Sequence, residues 1–227
     1  MAAPPDKLLV CIYTCEKHRE LLRVFHESVV GQYLRGLAGT RIIEVYANPA
    51  ISSSTLCTDE LVLRAEERYG ALSVKTHEMM EFCVNHFDFQ HLLKIDVTTI
   101  MTRFTGAEYK GRKPINLDRL VLFLKGTRFD KDYDGFHLHR HATRANAENW
   151  AAIKGEVISY EKVFGDKKMP PYFSGKCYIV SQRFARYISE YGQDMAREHE
   201  KYFLGSEDLL VGRMYEEFQK IMSLPGI

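Results

Sequence analysis

HLLKIDVTTI, residues 91–100, decides the fold that is expected for this chain. Its apolar residues between positions 92 and 95 are typical of a buried strand, and the run ends at the carboxylate of Asp96. Upstream, the apolar runs 7–14 and 41–48 also indicate strands, and residues at helical spacing lie between them. Alternating strands and helices predict an α/β fold with a mostly parallel central sheet and helices on both faces. Ligands of such sheets bind beyond the carboxyl ends of the strands, where Asp96 is expected.

Several further elements are predicted from local patterns. Thr58 is expected to cap a helix that runs to Tyr69. The apolar stretch 120–126 predicts another strand, and 135–143 alternates in the manner of a strand. Helices are predicted from Ser181 to Tyr191 and after Ser206, where each serine stands at the start.

Composition excludes some classes of protein. The chain has 227 residues, of which 45% are hydrophobic, so it can form one substantial core, and we expect a single domain over residues 1–227. A formal net charge of +1 gives no global basic field for nucleic acid. No apolar run reaches the roughly 18 residues that a transmembrane helix needs.

Five scattered cysteines indicate reduced thiols. The alternative, that Cys11 and Cys15 form half of a metal site, lacks a second cysteine pair at zinc spacing.

Three other stretches accompany the strand at 91–96: LSVKTHEMMEFC at 72–83, PPYFSGKCYIVS at 170–181 and EDLLVG at 207–212. In this order they resemble the inverting β-1,3-glycosyltransferases of the galactosyltransferase and Fringe type. The resemblance covers about residues 7–215 and implies a GT-A fold, with a nucleotide-binding half over about 7–100 and an acceptor half over about 101–227. The matching residues of the first two motifs are Leu72, Lys75, Thr76, Cys83, Leu92, Leu93, Lys94 and Asp96.

The resemblance implies transfer of a sugar from a UDP-sugar to a hydroxyl of a glycan or glycolipid, with inversion at the anomeric carbon. Such an enzyme must neutralise the departing diphosphate and take a proton from the acceptor hydroxyl. Asp208 matches the family's catalytic aspartate, the general base, and Glu207 shares or supports that role. The alternative is a helix start without chemistry, because the helix dipole favours acids in a first turn.

The donor is expected to bind near the end of the first strand, where GT-A folds usually hold the uracil. Glycine in the Ser174-Gly175 turn lets a ligand approach the backbone closely. Two arginines one helical turn apart are candidates for phosphate contacts, a solvated helix face being the alternative. Lys94 is expected on the opposite side of its strand from Asp96. The predicted donor-binding residues are Tyr13, Thr14, Cys15, Arg19, Arg23, Lys75, Asp96, Ser174 and Gly175.

The metal site of the family is incomplete in this sequence. Asp96 matches the first aspartate, but Val97 and Thr98 replace the next two. We expect either Mn²⁺ or Mg²⁺ at Asp96, with Thr98 and water completing the shell, or a hydrogen bond from Asp96 to a ribose or sugar hydroxyl. The alternating histidines of HLHRH, residues 137–141, share one face if they form a strand. His139 is therefore a candidate metal ligand, the alternative being polar side chains near the acceptor site.

Two other functions stay open. The missing acids favour a non-catalytic module that binds a sugar nucleotide or a glycan, whereas the retained Glu207-Asp208 pair favours catalysis. A metal-independent transferase, in which Arg or Lys supplies the positive charge, is the third possibility. We expect no nucleic-acid partner, no transmembrane segment, and either a cytoplasmic location or a soluble, excised catalytic domain.

Overall fold

A computed structural model describes residues 6–100, 116–127, 129–140, 143–153, 158–203 and 205–224. The strands are β1 (Asp6–Tyr13), β2 (Thr40–Ala47), β3 (Thr55–Cys57), β4 (Glu60–Leu63), β5 (Phe89–Asp96), β6 (Tyr133–Gly135), β7 (Leu138–His139), β8 (Tyr172–Phe173) and β9 (Cys177–Ser181). The α-helices are α1 (Arg19–Glu27), α2 (Val29–Gly36), α3 (Leu72–His86), α4 (Leu117–Gly126), α5 (Arg144–Ile153), α6 (Tyr160–Phe164), α7 (Gln182–Tyr191), α8 (Gln193–Tyr202) and α9 (Glu207–Met222). Short 3₁₀ helices cover Glu16–His18, Tyr69–Ala71 and Val97–Ile100. In the described ranges, no helix combines the length and the apolar character that crossing a bilayer requires.

Seven strands form one mixed sheet in the order β3-β4-β2-β1-β5-β9-β6. β1 runs parallel to β2 and to β5, and β2 runs parallel to β4. β3, β9 and β6 are antiparallel to their neighbours, and β7 pairs with β8 in a separate two-stranded sheet. Strands from both halves of the sequence therefore share one sheet, and the predicted, mostly parallel α/β fold is confirmed.

The central strand β1 is buried on both faces, which explains its nearly continuous apolar sequence. Leu9 and Cys11 face a core that also contains residues of α3, α7 and α9. Leu8 and Val10 face a second core, which contains residues of α1, α2 and α4. Helices cover both faces of the sheet, as predicted.

The predicted helix between Thr58 and Tyr69 is wrong. The chain instead forms β3 and β4, an antiparallel pair whose turn contains Thr58 with a φ angle of 56°. Leu61 and Leu63 are buried and alternate with partly exposed neighbours. This period of two fits a strand near the sheet edge, and the helical interpretation overlooked it.

The predicted strand at 120–126 is also wrong, because this stretch belongs to α4. Leu120 and Leu124 are buried at a spacing of four residues, whereas Leu122 points outward and is 65% exposed. Asn116 caps the helix, its side-chain oxygen accepting a hydrogen bond from the backbone N–H of Arg119 at 3.0 Å. An apolar run of this length fits either a helix or a strand, and the Asn cap decides between them.

Candidate active site

The candidate site lies beyond the carboxyl ends of β1 and β5, where Tyr13 and Asp96 stand side by side in the sheet register. β9 is antiparallel to β5, so the turn at 174–176 that precedes β9 reaches the same edge. Helix α9 begins against this turn, where the N–H of Gly175 donates to Oδ2 of Asp208 at 3.3 Å. The structure thus brings together the predicted Asp96, the Ser174-Gly175 turn and the Glu207-Asp208 pair.

Lys94 lies on the same face of β5 as Asp96, contrary to prediction, because residues two apart in a strand share a face. Its side chain is almost completely buried, and its ammonium donates to Oε1 of Glu207 at 2.8 Å. The ammonium also donates to the carbonyl of Gly175 and lies 4.5 Å from the centre of the Tyr13 ring. A carboxylate, a carbonyl and an aromatic face together compensate the cost of burying this charge.

Gly175 is required by the packing between the turn and α9. A Cβ atom at this position would lie 2.2 Å from Oε1 of Glu207, far inside van der Waals contact. Only glycine allows Glu207 to reach Lys94 while the backbone of the turn also contacts Asp208. The Ser174-Gly175 turn therefore fixes the start of α9.

Asp208 differs from Glu207 in its electrostatic surroundings. Burial and the negative charge of Glu207 raise the pKa of Asp208 to about 7, although hydrogen bonds from the N–H groups of Gly175 and Leu209 and the charge of Lys94 oppose this. Glu207 is held by Lys94, whereas Asp208 accepts backbone hydrogen bonds at 3.3 and 2.9 Å. A carboxylate with a pKa near neutrality can take up a proton at physiological pH, as a general base must.

Lys75 holds the segment after β1 in place. Its buried ammonium donates to both oxygens of Glu67, at 2.9 and 3.0 Å, and to the carbonyl of Thr14 at 2.9 Å. Burial lowers the pKa of Lys75, and the charge of Glu67 opposes that shift. The hydroxyl of Tyr13 lies 2.9 Å from Oγ1 of Thr76. Three acceptors use the three donors of the Lys75 ammonium, so this residue shapes the predicted nucleotide pocket mainly through Thr14.

Arg19 and Arg23 lie on α1 among acidic side chains. Arg19 donates to Glu16 at 2.8 Å and to Glu60 at 3.2 Å. The side chain of Arg23 is 79% exposed and lies 3.8 Å from Glu27, an ion pair weak enough to open readily. Their contact with phosphate stays a prediction.

The negative charge of the Asp96 carboxylate is stabilised by neighbouring hydrogen-bond donors and lysines. Its Oδ1 accepts hydrogen bonds from the N–H and the hydroxyl of Thr98, both at 2.8 Å. The Lys176 ammonium donates to the same hydroxyl at 2.6 Å. Burial alone raises the pKa of Asp96, but Lys176, Lys94 and the two hydrogen bonds together lower it below its ordinary value. Asp96 is therefore ionised, with a lysine cation beside it.

This arrangement does not fit a divalent cation well. Mn²⁺ and Mg²⁺ prefer several oxygen ligands, including carboxylates, whereas here one carboxylate stands with a hydroxyl that already accepts from Lys176. Within the described ranges, the group of three potential metal ligands close enough to share an ion is His77, Glu78 and Glu81 on α3, and it includes neither Asp96 nor His139. The Mn²⁺ or Mg²⁺ site at Asp96 and Thr98 stays a prediction.

In the described part of HLHRH, only Leu138 and His139 form a strand, so His139 is the one described histidine of the motif in a strand. The ring of His139 stacks on the Tyr172 ring, with centroids 4.8 Å apart, so one of its faces is covered. Burial lowers the pKa of both His137 and His139, so both imidazoles favour the neutral form. His141 lies outside the described residues, and metal binding by His139 stays a prediction.

Cys11 and Cys15 contact different partners in the structure. The Sγ atoms of Cys11 and Cys83 lie 3.9 Å apart in the core, whereas Cys15 lies 3.3 Å from Nδ1 of His18. All five cysteines are free thiols, as their scattered spacing predicted.

Sequence reasoning missed two charged residues of this site. Lys176 follows the Ser174-Gly175 turn directly, and its position in that motif was the available signal. Glu67 carried no comparable signal, because the surrounding stretch was interpreted as a helix. Its pairing with Lys75, eight positions along the chain, depends on the turn between β4 and α3, which the predicted helix left no room for.

Together, the mixed sheet, its two layers of helices and the charged site at the strand ends define a GT-A-like, single-domain α/β protein. The profile of the Galactosyltransferase family matches residues 37–221. This match spans most of the chain, so the protein belongs to the galactosyltransferase family, and the resemblance drawn from the motifs is confirmed. No curated protein matches the sequence significantly.

Proposed function

We propose that this protein transfers a sugar from a UDP-sugar to a hydroxyl group of a glycan or glycolipid. Membership of the galactosyltransferase family supports glycosyl transfer in general. The more specific proposal rests on the surroundings of Asp208. Its pKa of about 7 suits a general base, and its carboxylate accepts a hydrogen bond from the N–H of Gly175. It stands at the same edge of the sheet as Asp96.

In the proposed reaction, Asp208 accepts the proton of the acceptor hydroxyl while the hydroxyl oxygen attacks the anomeric carbon. The bond from this carbon to the diphosphate breaks on the opposite face, and its electron pair stays on the diphosphate. One displacement of this kind inverts the configuration and needs no covalent intermediate. Glu207 supports the base, because its negative charge helps to raise the pKa of Asp208.

The donor is proposed to bind along the edge formed by the segment after β1 and the turn before β9. Thr14 and Cys15 follow β1 directly, and Lys75 holds the carbonyl of Thr14. Asp96 pairs with Tyr13 in the sheet register, and the Ser174-Gly175 turn leads into β9, the antiparallel neighbour of β5. The free thiols support a reducing compartment, such as the cytoplasm, as the place of action.

One observation favours a binding module instead. Thr98 stands where a second carboxylate is expected for a metal-assisted transferase, and its hydroxyl is already hydrogen-bonded to Asp96. A protein with this site that binds UDP without turning over any donor would be such a module.

Release of UDP or GDP from a panel of UDP- and GDP-sugars, with and without glycan acceptors, tests the proposal. We expect one UDP-sugar to be consumed in a reaction that depends on the acceptor and gives a β-linked product from an α-linked donor. Retention of configuration would contradict the one-step displacement. UDP binding without turnover of any donor would favour the binding module.

A further inference from the structure

Among the described residues, three lysines donate hydrogen bonds to Thr14, Gly175 or Thr98 at the strand-end site, and they differ in their accessibility. Lys75 and Lys94 are each 1% exposed and hold carboxylates at 2.9 and 2.8 Å. Lys176 is partly exposed, and its ammonium lies 2.6 Å from the hydroxyl of Thr98. The partial exposure of Lys176 lets an anionic ligand approach its ammonium from solvent, whereas Lys75 and Lys94 are buried.

The Lys176 ammonium lies next to the Thr98 hydroxyl, which is one of the two groups that would bind a metal ion together with Asp96. The hydroxyl of Thr98 accepts from Lys176 and donates to Asp96, so it bridges the lysine and the carboxylate. A divalent ion at this hydroxyl would lie close to the ammonium, and the two positive charges would repel each other. The site therefore already contains a cation that belongs to the chain.

We propose that Lys176 binds the diphosphate of the sugar nucleotide in place of a divalent metal ion, so that transfer proceeds without one. An ammonium is a compact charge with three rotatable donors and is well suited to phosphate oxygens. Thr98, whose hydroxyl also donates to Asp96, accepts a hydrogen bond from this ammonium and orients it. This inference deepens the proposed function and rests on it for the reaction, although nucleotide binding can be measured independently.

In the reaction, the bond between the anomeric carbon and the β-phosphate oxygen breaks, and the electron pair stays on that oxygen. The charge that develops on the diphosphate is stabilised by the Lys176 ammonium, which keeps its proton. The acceptor oxygen forms the new bond to the anomeric carbon, and its proton passes to Asp208. No metal, oxidant or further reactant is needed to balance this step.

Nucleotide affinity isolates the contact with the diphosphate. We would measure binding of uridine and UDP in EDTA by calorimetry for the wild type, Lys176→Met and Lys176→Arg. We expect Lys176→Met to weaken UDP binding by about 10- to 100-fold and to leave uridine binding unchanged, because uridine has no phosphate. Arg keeps the positive charge, so Lys176→Arg should retain part of the UDP affinity. The exposed Lys168, in the segment before β8, provides the matched control Lys168→Met, for which both affinities should equal those of the wild type.

Turnover in EDTA and in Mn²⁺ separates this inference from the proposed function. Equal UDP affinity and equal donor turnover in EDTA and in Mn²⁺ would support binding of the diphosphate by Lys176 without a metal ion. UDP binding or turnover that is lost in EDTA and restored by Mn²⁺ would overturn the role of Lys176 as a replacement for the metal ion. The proposal that the protein is a transferase would then still stand. Metal-independent UDP binding that needs Lys176, without turnover of any donor, would support diphosphate binding by Lys176. It would overturn the proposal that the protein transfers a sugar. Equal loss of uridine and UDP affinity in Lys176→Met, or no UDP binding by the wild type, would overturn the inference.

Discussion

The ammonium of Lys94 and Oε1 of Glu207 lie 2.8 Å apart, and the two side chains are only 1% and 9% exposed. This pair joins the end of β5 to the first residue of α9. The next residue of the helix is Asp208, whose position relative to Asp96 therefore depends on the pair. A buried ion pair of this kind costs desolvation energy, so it contributes more to the geometry of the site than to the net stability.

Replacement of Lys94 by Met should destabilise the protein strongly. The carboxylate of Glu207 would stay buried without its partner, and removing one member of a buried pair typically costs about 3–5 kcal/mol. Urea denaturation of wild type and Lys94→Met measures this difference in the free energy of unfolding. A loss below about 1 kcal/mol would mean that Glu207 finds another partner or reaches water.

A second substitution and a surface pair serve as controls for Lys94. The double variant Lys94→Met with Glu207→Gln removes both charges and should recover part of the loss. Lys220 and Glu216 form an exposed pair at 3.7 Å, so Lys220→Met should change the free energy of unfolding by less than about 1 kcal/mol.

Replacement of Gly175 by Ala should impair the site by displacing Glu207. The added Cβ would lie 2.2 Å from Oε1 of Glu207, and the carboxylate cannot move without weakening its contact with Lys94. We expect donor turnover to fall about 10- to 100-fold, as for small displacements of catalytic groups. Gly36 has open space around its Cβ position, so Gly36→Ala provides the control with unchanged turnover.

A double-mutant cycle identifies the collision. In a Glu207→Ala background the carboxylate is absent, so Gly175→Ala should reduce the free energy of unfolding much less than in the wild type. An equal cost in both backgrounds would show that the turn, and not Glu207, limits the space.

The sequence predicted the central part of the fold because its strong signals are local. The apolar run before Asp96 belongs to a strand buried on both faces, and no exposed neighbour interrupts its pattern. The errors fall where local patterns are ambiguous. Leu120 and Leu124 belong to a helix but stand in an apolar run that also fits a strand, and β4 is short and lies near the sheet edge.

The candidate site was predicted by its motifs, but its charge pairs were not. Pairing of Lys94 with Glu207 connects residues 113 positions apart, and the Lys176 contact with Thr98 spans 78. Such contacts depend on strand order and on the antiparallel entry of β9, which the spacing along the chain does not specify. The degenerate metal motif was visible in the sequence, whereas the lysine beside it became visible only in three dimensions.

The pH dependence of turnover should report the base. Because burial and the charge of Glu207 raise the pKa of Asp208 to about 7, the deprotonated form becomes abundant only near neutrality. We expect kcat/KM to rise with pH up to about 7 and then to level off. Asp208→Asn should lower kcat by about 10²- to 10⁴-fold and leave UDP affinity unchanged. Asp194 is an exposed acid in the first turn of α8, and Asp194→Asn should keep the wild-type profile.

A rate that is already maximal at pH 5 would contradict this assignment, because an ordinary aspartate is fully ionised well below neutrality. Equal losses of turnover and of UDP affinity in Asp208→Asn would instead place Asp208 in the donor pocket.

The raised pKa of Asp208 also predicts how stability depends on pH. Folding raises this pKa from an ordinary value of 3.8 to about 7, so the folded protein binds more protons than the unfolded chain between these pH values. The contribution of Asp208 to the free energy of unfolding must then fall as the pH rises through this window and stay constant above it. Asp208→Asn cannot ionise, so its stability relative to the wild type should increase from pH 5 to pH 7 and level off by about pH 8. Urea denaturation across this range measures the difference, and Asp194→Asn should show none of this pH dependence. A difference between Asp208→Asn and the wild type that is constant from pH 5 to pH 8 would mean that Asp208 ionises as it does in the unfolded chain, and the general base would have to be sought elsewhere.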